Sequence, residues 1–161
     1  VGRTLFGDHP LAGVYFQRRM EREAFSRTGS YNAPVQRLED FLAGRKSTFF
    51  GEVKPTYPGA ALAECKGILP AAAEETLKAA VTDMDRRLKG FASPDAVITF
   101  PESRTSSPVR IERDSRCRSI SADNLYPAGE GAGYSGGITS SAADGLRVAD
   151  AIVERLLNGE D

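Results

Sequence analysis

Apolar residues recur at the spacing of a helix over much of the first 95 residues. The pattern predicts helices over residues 10–27, between Asn32 and Gly44, and between Pro70 and Gly90, with a short helical turn over residues 60–66. Prolines at the predicted helix starts and glycines at the predicted ends support these boundaries. The segment 46–59 holds two prolines and two glycines and is predicted to be a loop.

After residue 95 the pattern changes to short apolar runs and one amphipathic helix. Three segments are strand candidates: residues 96–100, the alternating SPVRIER at 107–113, and NLYPA at 124–128. The last helix is predicted from about residue 137 to 157. Its apolar stripe consists of Ile138, Ala142, Leu146, Ala149, Val153 and Leu156.

These elements predict an α+β fold with two parts. Residues 1–95 form a mainly helical lobe, and residues 96–161 form a short β return that ends in a strand, a turn and a helix. Three strands and one helix cannot make a doubly wound sheet, because parallel neighbours with helices on both faces are missing. The second part therefore corresponds to an incomplete Rossmann-like unit.

The stretch LYPAGEGAGYSGGITSSAADG, residues 125–145, places a glycine-dense turn before the last helix. Glycine lets the backbone approach a ligand closely, and a helix start presents free N–H groups that favour a phosphate or developing negative charge. Glu130 is placed to accept a hydrogen bond from a sugar-like hydroxyl. The alternative is a surface turn whose glycines only permit a tight reversal. The string is not a Rossmann fingerprint, because no βαβ crossover surrounds it.

Charge and composition argue against several classes of function. The chain has 21 basic and 22 acidic residues, so its formal net charge of −1 gives no electrostatic case for nucleic acid or an anionic membrane. No run of 18 apolar residues predicts a transmembrane helix, and the first residues lack a signal-peptide pattern. Cys65 and Cys117 are far apart in sequence, so neither a disulfide framework nor a metal site is expected. Reduced thiols in a cytoplasmic protein are the default.

Single reactive side chains give weak signals. His9 stands alone beside Pro10 and is expected to be a surface or capping residue rather than a catalytic base. Cys117 lies between Arg116 and Arg118, a setting that favours a reactive thiol, but an ordinary surface cysteine is the preferred interpretation. The catalytic residues stay unknown.

Two segments carry a resemblance to a known family. ESRTSSPVRIERD, residues 102–114, and LYPAGEGAGYSGGITSSAADGLRVADAI, residues 125–152, resemble the C-terminal end of bacterial FAD-dependent dehydrogenases of the glutathione-reductase-like flavoprotein superfamily. The resemblance is to a poorly characterised group related to the BaiN-like flavoproteins. Residues 10–95 look like the helical domain inserted before that end. The family's fingerprint for the FAD pyrophosphate has no match in this chain.

The resemblance implies a C-terminal portion of an FAD-dependent oxidoreductase. The partner would be the N-terminal FAD-binding half of the same protein, NAD(P)H would be a candidate electron donor, and the small-molecule substrate is unknown. By itself the chain would bind FAD weakly or not at all. The apolar face of its last helix and strand would be exposed and prone to self-association. The alternative is a non-catalytic helical interaction module with a purely structural glycine turn.

The resemblance also implies positions near the cofactor. Gly129 and Glu130 match a glycine–acid pair that approaches the ribityl and phosphate part of FAD, although many relatives have Asp where Glu130 stands. The positions expected near the flavin ring are Gly136, Gly137 and Ile138 at the helix start, and Arg104, Thr105, Ser106 and Ser107 in the returning segment. Arg104 is equally expected as an ion-pair residue, and Tyr134 is expected to pack in the turn rather than to cover the flavin.

Overall fold

The computed structural model describes residues 7–159 and has four helices and one small sheet. The predicted α+β class is confirmed. In chain order the elements are α1 (Ala12–Thr28), β1 (Ala33–Arg37), α2 (Leu38–Ala43), β2 (Ala60–Leu62), α3 (Ala71–Arg87), β3 (Val97–Thr99) and α4 (Ile138–Leu157). Among these helices none is long and apolar enough to cross a membrane.

Contacts between residues divide the chain into two compact units. The terminal unit consists of Val1–Gln17 and Arg104–Asp161, and the central unit of Arg18–Ser103. These boundaries do not coincide with the expected division after residue 95, which stays a prediction. Near the two ends of the central unit, the Ser103 hydroxyl donates a hydrogen bond of 2.9 Å to the Glu21 carboxylate. The two ends of the central unit therefore lie close together.

The sheet of the central unit has the strand order β2–β1–β3. Strand β1 pairs in parallel with β2, with Val35 opposite Leu62, and antiparallel with β3, with Val35 opposite Thr99. As the middle strand, β1 has its three central residues buried. The Gln36 side chain spans the neighbouring loops, because its amide donates to the Arg45 carbonyl and its oxygen accepts from the Cys65 N–H.

Two predicted helical segments are strands. The residues between Asn32 and Gly44 form β1 and then only a six-residue helix, although Gly44 does end it in the left-handed conformation. Residues 60–66 contribute β2 instead of a helical turn. Short apolar runs do not distinguish the two structures, and here hydrogen bonds from distant strands decide in favour of the sheet. The predicted helices at 10–27, 70–90 and 137–157 and the strand at 96–100 are confirmed.

The two other strand candidates do not form strands. Residues 107–113 hydrogen-bond with the glycine turn through the Ile111 N–H and the Ala132 carbonyl, and only the isolated bridge Arg113–Ser119 resembles a ladder. In the segment 124–128, Pro127 has no N–H and its carbonyl accepts from the Arg113 side chain. The expected terminal strand is therefore an irregular segment, and α4 follows it as predicted.

The two units differ in how much apolar surface they bury. The central unit has a core of Met20, Ala24, Val35, Leu38, Phe41, Ala63, Cys65, Ile68, Val81 and Phe100. In the described part of the terminal unit, the buried apolar residues are Ala12, Cys117, Ala132 and Val148. More large apolar side chains of this unit are exposed than buried, which is typical of a surface that meets a partner.

Candidate functional site

The glycine turn is a closed backbone loop. The Tyr134 N–H donates to the Gly129 carbonyl at 3.0 Å, and within this loop the Gly133 N–H donates to the Glu130 carbonyl at 2.9 Å. Gly129 and Gly133 have φ angles of +65° and +82°. Side chains with a Cβ disfavour this region, so glycine at both positions shapes the turn.

The segment after Pro108 lies directly against this turn. A Cβ at Gly133 would lie 2.5 Å from the Val109 carbonyl oxygen and 3.0 Å from the Arg110 Cα. The Ile111 N–H donates to the Ala132 carbonyl at 3.1 Å in the same region. Glycine is therefore required at position 133 for two reasons, the left-handed backbone conformation and the close approach of the segment after Pro108.

Helix α4 begins at the end of the turn. Its N-cap is Gly137, which offers no capping side chain, and its first turn contains no acidic residue. A Cβ at Gly136 would lie 3.4 Å from the Ser106 hydroxyl, and the Ser135 and Ser141 hydroxyls are 2.8 Å apart. The first turn of α4 therefore has no carboxylate at the positive end of the helix dipole, and small polar residues lie around it.

A buried ion pair holds the base of the turn. The two terminal nitrogens of Arg113 donate to the two oxygens of Asp144 at 3.0 and 2.6 Å, and the side chains are 5% and 12% exposed. One of these nitrogens also donates to the Pro127 carbonyl, and Asp144 accepts from the Gly129 N–H at 2.8 Å. The hydrogen bonds from Arg113 and Gly129 lower the pKa of the Asp144 carboxyl to about 2.

Tyr134 closes the other end of the turn. Its ring centroid lies 3.6 Å from the guanidinium carbon of Arg113 and 4.1 Å from that of Arg110. Its hydroxyl donates to the Ile111 carbonyl at 3.1 Å. These contacts place the ring in the turn, as the preferred interpretation expected, with cation–π attraction from two arginines.

The structure brings some of the expected cofactor positions together. Ser106 lies beside Gly136, so the returning segment and the helix start meet. Arg104, Thr105 and Ser106 are exposed, as are Gly136 and Ile138, whereas Gly129, Glu130 and Gly137 are half-buried. The Gly129 N–H donates to Asp144 and its carbonyl accepts from the Tyr134 N–H, so both of its backbone polar groups are engaged within the terminal unit.

Sequence reasoning missed the roles of Arg113 and Asp144. Arg113 lies in the segment expected to be a strand, and Asp144 lies 31 residues later on the helix. No local spacing pairs two residues so far apart. The available signal was one acidic residue on the side of α4 opposite its apolar stripe, close behind the glycine turn.

The single reactive side chains have structural explanations. The imidazole of His9 accepts a hydrogen bond from the Leu11 N–H at 3.0 Å, as expected of a capping residue. Cys117 is buried, so its interpretation as a surface cysteine is wrong; the tight turn of residues 114–118 places it inside. Burial raises the pKa of the Cys65 thiol to about 12. Within residues 7–159, no cluster of His, Cys, Asp and Glu side chains is arranged to hold a metal ion.

The turn and the start of α4 fit one wall of a nucleotide or flavin site. A Cβ at Gly131 would meet no atom within 4 Å, and one at Gly137 would meet only the Ser140 hydroxyl, at 3.6 Å. Both glycines thus border open space. Free helix N–H groups without a neighbouring carboxylate suit an anionic group. The chain holds no glycine fingerprint for a pyrophosphate, so the fit concerns one wall only.

Comparison with known proteins gives the family of this chain. A family model described as "FAD-dependent protein, C-terminal domain-like" matches residues 2–105. The chain belongs to this family. The match covers the central unit and ends before the glycine turn, so it supports FAD dependence without testing the individual site residues.

A relative extends the similarity beyond the family match. A protein of Clostridium beijerinckii with the name "Uncharacterized protein" is 46% identical over 151 residues. The alignment covers 92% of this chain, a larger share than the family match. The chain spans only 28% of that relative's length. The similarity therefore gives the family but no activity.

Proposed function

We propose that this chain is the C-terminal part of an FAD-dependent oxidoreductase and forms one wall of its flavin site. The observation that carries the proposal is the uncovered start of α4, which follows a hydrogen-bonded glycine turn in a member of an FAD-dependent family. A dehydrogenase of the glutathione-reductase-like superfamily, related to the BaiN-like group, is the finer form of the proposal. NAD(P)H as electron donor belongs to the same proposal.

Each part of this wall has a distinct role in the proposal. The N–H groups of Gly137 and Ile138 and the dipole of α4 stabilise negative charge on a ligand placed before the helix. Gly131 leaves space for close approach, and the Ser106 hydroxyl supplies a polar contact beside Gly136. FAD, when bound, supplies the electron-transfer chemistry, and the protein orients it and tunes its surroundings.

FAD titration followed by flavin fluorescence tests this function. The chain alone and the full reading frame that encodes it would be compared under the same conditions. We expect the full reading frame to bind at least about a hundredfold more tightly, a difference of roughly 3 kcal/mol, because only the longer protein supplies the pyrophosphate site. Absence of binding by both proteins would contradict the proposal and favour a non-catalytic interaction module. Tight binding by the chain alone would show that these residues hold the phosphates themselves.

The apolar face of α4 is proposed to contact the N-terminal FAD-binding half of the same protein. This face consists of Ile138, Ala142, Leu146, Ala149, Val153 and Leu156, and all six are exposed. Ile138 is 93% and Leu146 is 68% exposed, whereas Val148 on the opposite side is buried. The relative is more than three times longer than the matched segment, so additional chain is the occupant that the comparison supports. An exposed apolar face of this length is unusual in a complete domain.

Light scattering of the chain alone tests this face. We expect concentration-dependent self-association, because the exposed apolar residues of α4 become buried when two copies of the chain pack against each other. The double substitution Leu146→Lys and Val153→Lys should abolish it, since two charges on the face oppose its burial. Ile120→Lys, at an exposed apolar position outside α4, is the matched control and should leave the association unchanged. A monomer at all concentrations would argue against the proposed interface.

A further inference from the structure

We propose that Arg113 and Asp144 are positioning residues that set the geometry of the glycine turn for FAD without touching the cofactor. The inference rests on the proposed function of this wall. Their side chains connect three segments of the terminal unit. These are residues 107–113, residues 127–129 at the beginning of the glycine turn, and helix α4. Four hydrogen bonds made by the two side chains join these segments.

Asp144 is fully engaged by the protein. One carboxylate oxygen accepts from Arg113, and the other accepts from both Arg113 and the Gly129 N–H. The carboxylate is charged at neutral pH and nearly enclosed, so its role is to hold these donors rather than to bind a ligand. Outer groups of this kind orient the groups that touch a ligand in other preorganised sites.

Arg113 contacts both ends of the turn. At its beginning, the guanidinium binds the Pro127 carbonyl and, through Asp144, fixes the Gly129 N–H. At its end, the same guanidinium packs on the ring of Tyr134, whose N–H closes the loop onto the Gly129 carbonyl. One planar cation therefore sets the separation between the two ends. A lysine at this position would keep the charge and lose the paired geometry.

A role in stability alone is the competing explanation, and a double substitution separates the two. Removing one partner leaves a buried charge unpaired, so Arg113→Gln and Asp144→Asn should each destabilise the fold. Replacing both partners removes the unpaired charge, so the double variant should be more stable than either single variant while it still lacks the bidentate geometry. Positioning predicts that FAD affinity stays low when stability returns, whereas a purely structural role predicts that affinity returns as well.

The experiment uses the full reading frame with FAD titration and urea unfolding. We expect the double variant Arg113→Gln with Asp144→Asn to unfold at a higher urea midpoint than either single variant and to bind FAD as weakly as they do, roughly ten- to a hundredfold more weakly than the wild type. The matched control is Asp83→Asn with Arg87→Gln, which makes the same changes at an exposed ion pair of α3 and should alter neither property. Wild-type FAD affinity in the double variant would overturn the inference.

A second readout uses the chain alone and does not depend on FAD. In amide NMR spectra, we expect the Gly129 and Tyr134 cross-peaks of the double variant to shift. The Gly129 N–H loses its charged acceptor, and the hydrogen bond of the Tyr134 N–H to the Gly129 carbonyl changes with the shape of the turn. The Gly90 cross-peak in the central unit should stay in place. Unshifted Gly129 and Tyr134 cross-peaks would contradict positioning. If the wild-type full reading frame fails to bind FAD, the proposed function fails, and this spectrum still decides whether the pair positions the turn.

Discussion

Gly133→Ala is expected to destabilise the terminal unit by about 3 kcal/mol and to abolish FAD binding by the full reading frame. A left-handed backbone conformation costs an alanine about 1–2 kcal/mol. The added Cβ would also lie 2.5 Å from the Val109 carbonyl oxygen, which belongs to the backbone and cannot rotate away. Relief of this overlap requires separation of the turn from the returning segment, which breaks the contact between the Ile111 N–H and Ala132.

Gly131→Ala is the matched control, because it changes the same turn by the same methyl group. Gly131 has no atom within 4 Å of the Cβ position and does not have a left-handed φ. Urea unfolding followed by circular dichroism should therefore show a change within about 0.5 kcal/mol. Equal effects of the two substitutions would show that the approach of Val109 does not shape the turn. Loss of FAD binding with Gly131→Ala alone would indicate that the cofactor occupies the space beside this residue.

Phe41→Ala is expected to destabilise the central unit by about 3–5 kcal/mol, the usual cost of truncating a buried aromatic side chain. Phe41 is 2% exposed, its ring lies 5.6 Å from that of Phe100, and the Lys78 ammonium lies 5.2 Å from its centroid. The substitution leaves a cavity between α2 and β3, and it also removes the ring that faces the ammonium. Neighbouring side chains close such cavities only partly.

Phe91→Ala serves as the control for this substitution, since Phe91 is 42% exposed and leaves no enclosed cavity. Thermal unfolding followed by circular dichroism should separate the two variants clearly, with a small shift for Phe91→Ala. Phe41→Leu, which retains most of the buried volume, should fall between them. A loss below about 1 kcal/mol for Phe41→Ala would mean that Phe41 is not central to this core.

The success of sequence reasoning depended on how local the signals were. The helices α1, α3 and α4 were predicted because their periodicity and their flanking prolines or glycines lie within one segment. Strands β1 and β2 were missed because their hydrogen-bond partners lie 25 or more residues away, and nothing within APVQR or AAL distinguishes a strand from a helix. The α+β class was correct although the positions of two strands were wrong.

The same limit applies to the candidate site. The glycine turn and the start of α4 were found because glycine spacing and a following helix are visible in one stretch of sequence. The Arg113–Asp144 pair was not found, since its members become neighbours only through the folding of the intervening residues. The apolar stripe of α4 was predicted correctly as a pattern and as an exposed face.

The hydrogen bond between Ser103 and Glu21 has a consequence for how such a protein could arise. The two ends of the central unit lie close together, so such a unit can be inserted into another fold, or deleted from it, at one position in the chain. Such a unit behaves as a cassette. Related proteins could exchange it for another cassette, or replace it by a short linker, and keep the glycine turn and α4 unchanged. The two units would then evolve at independent rates.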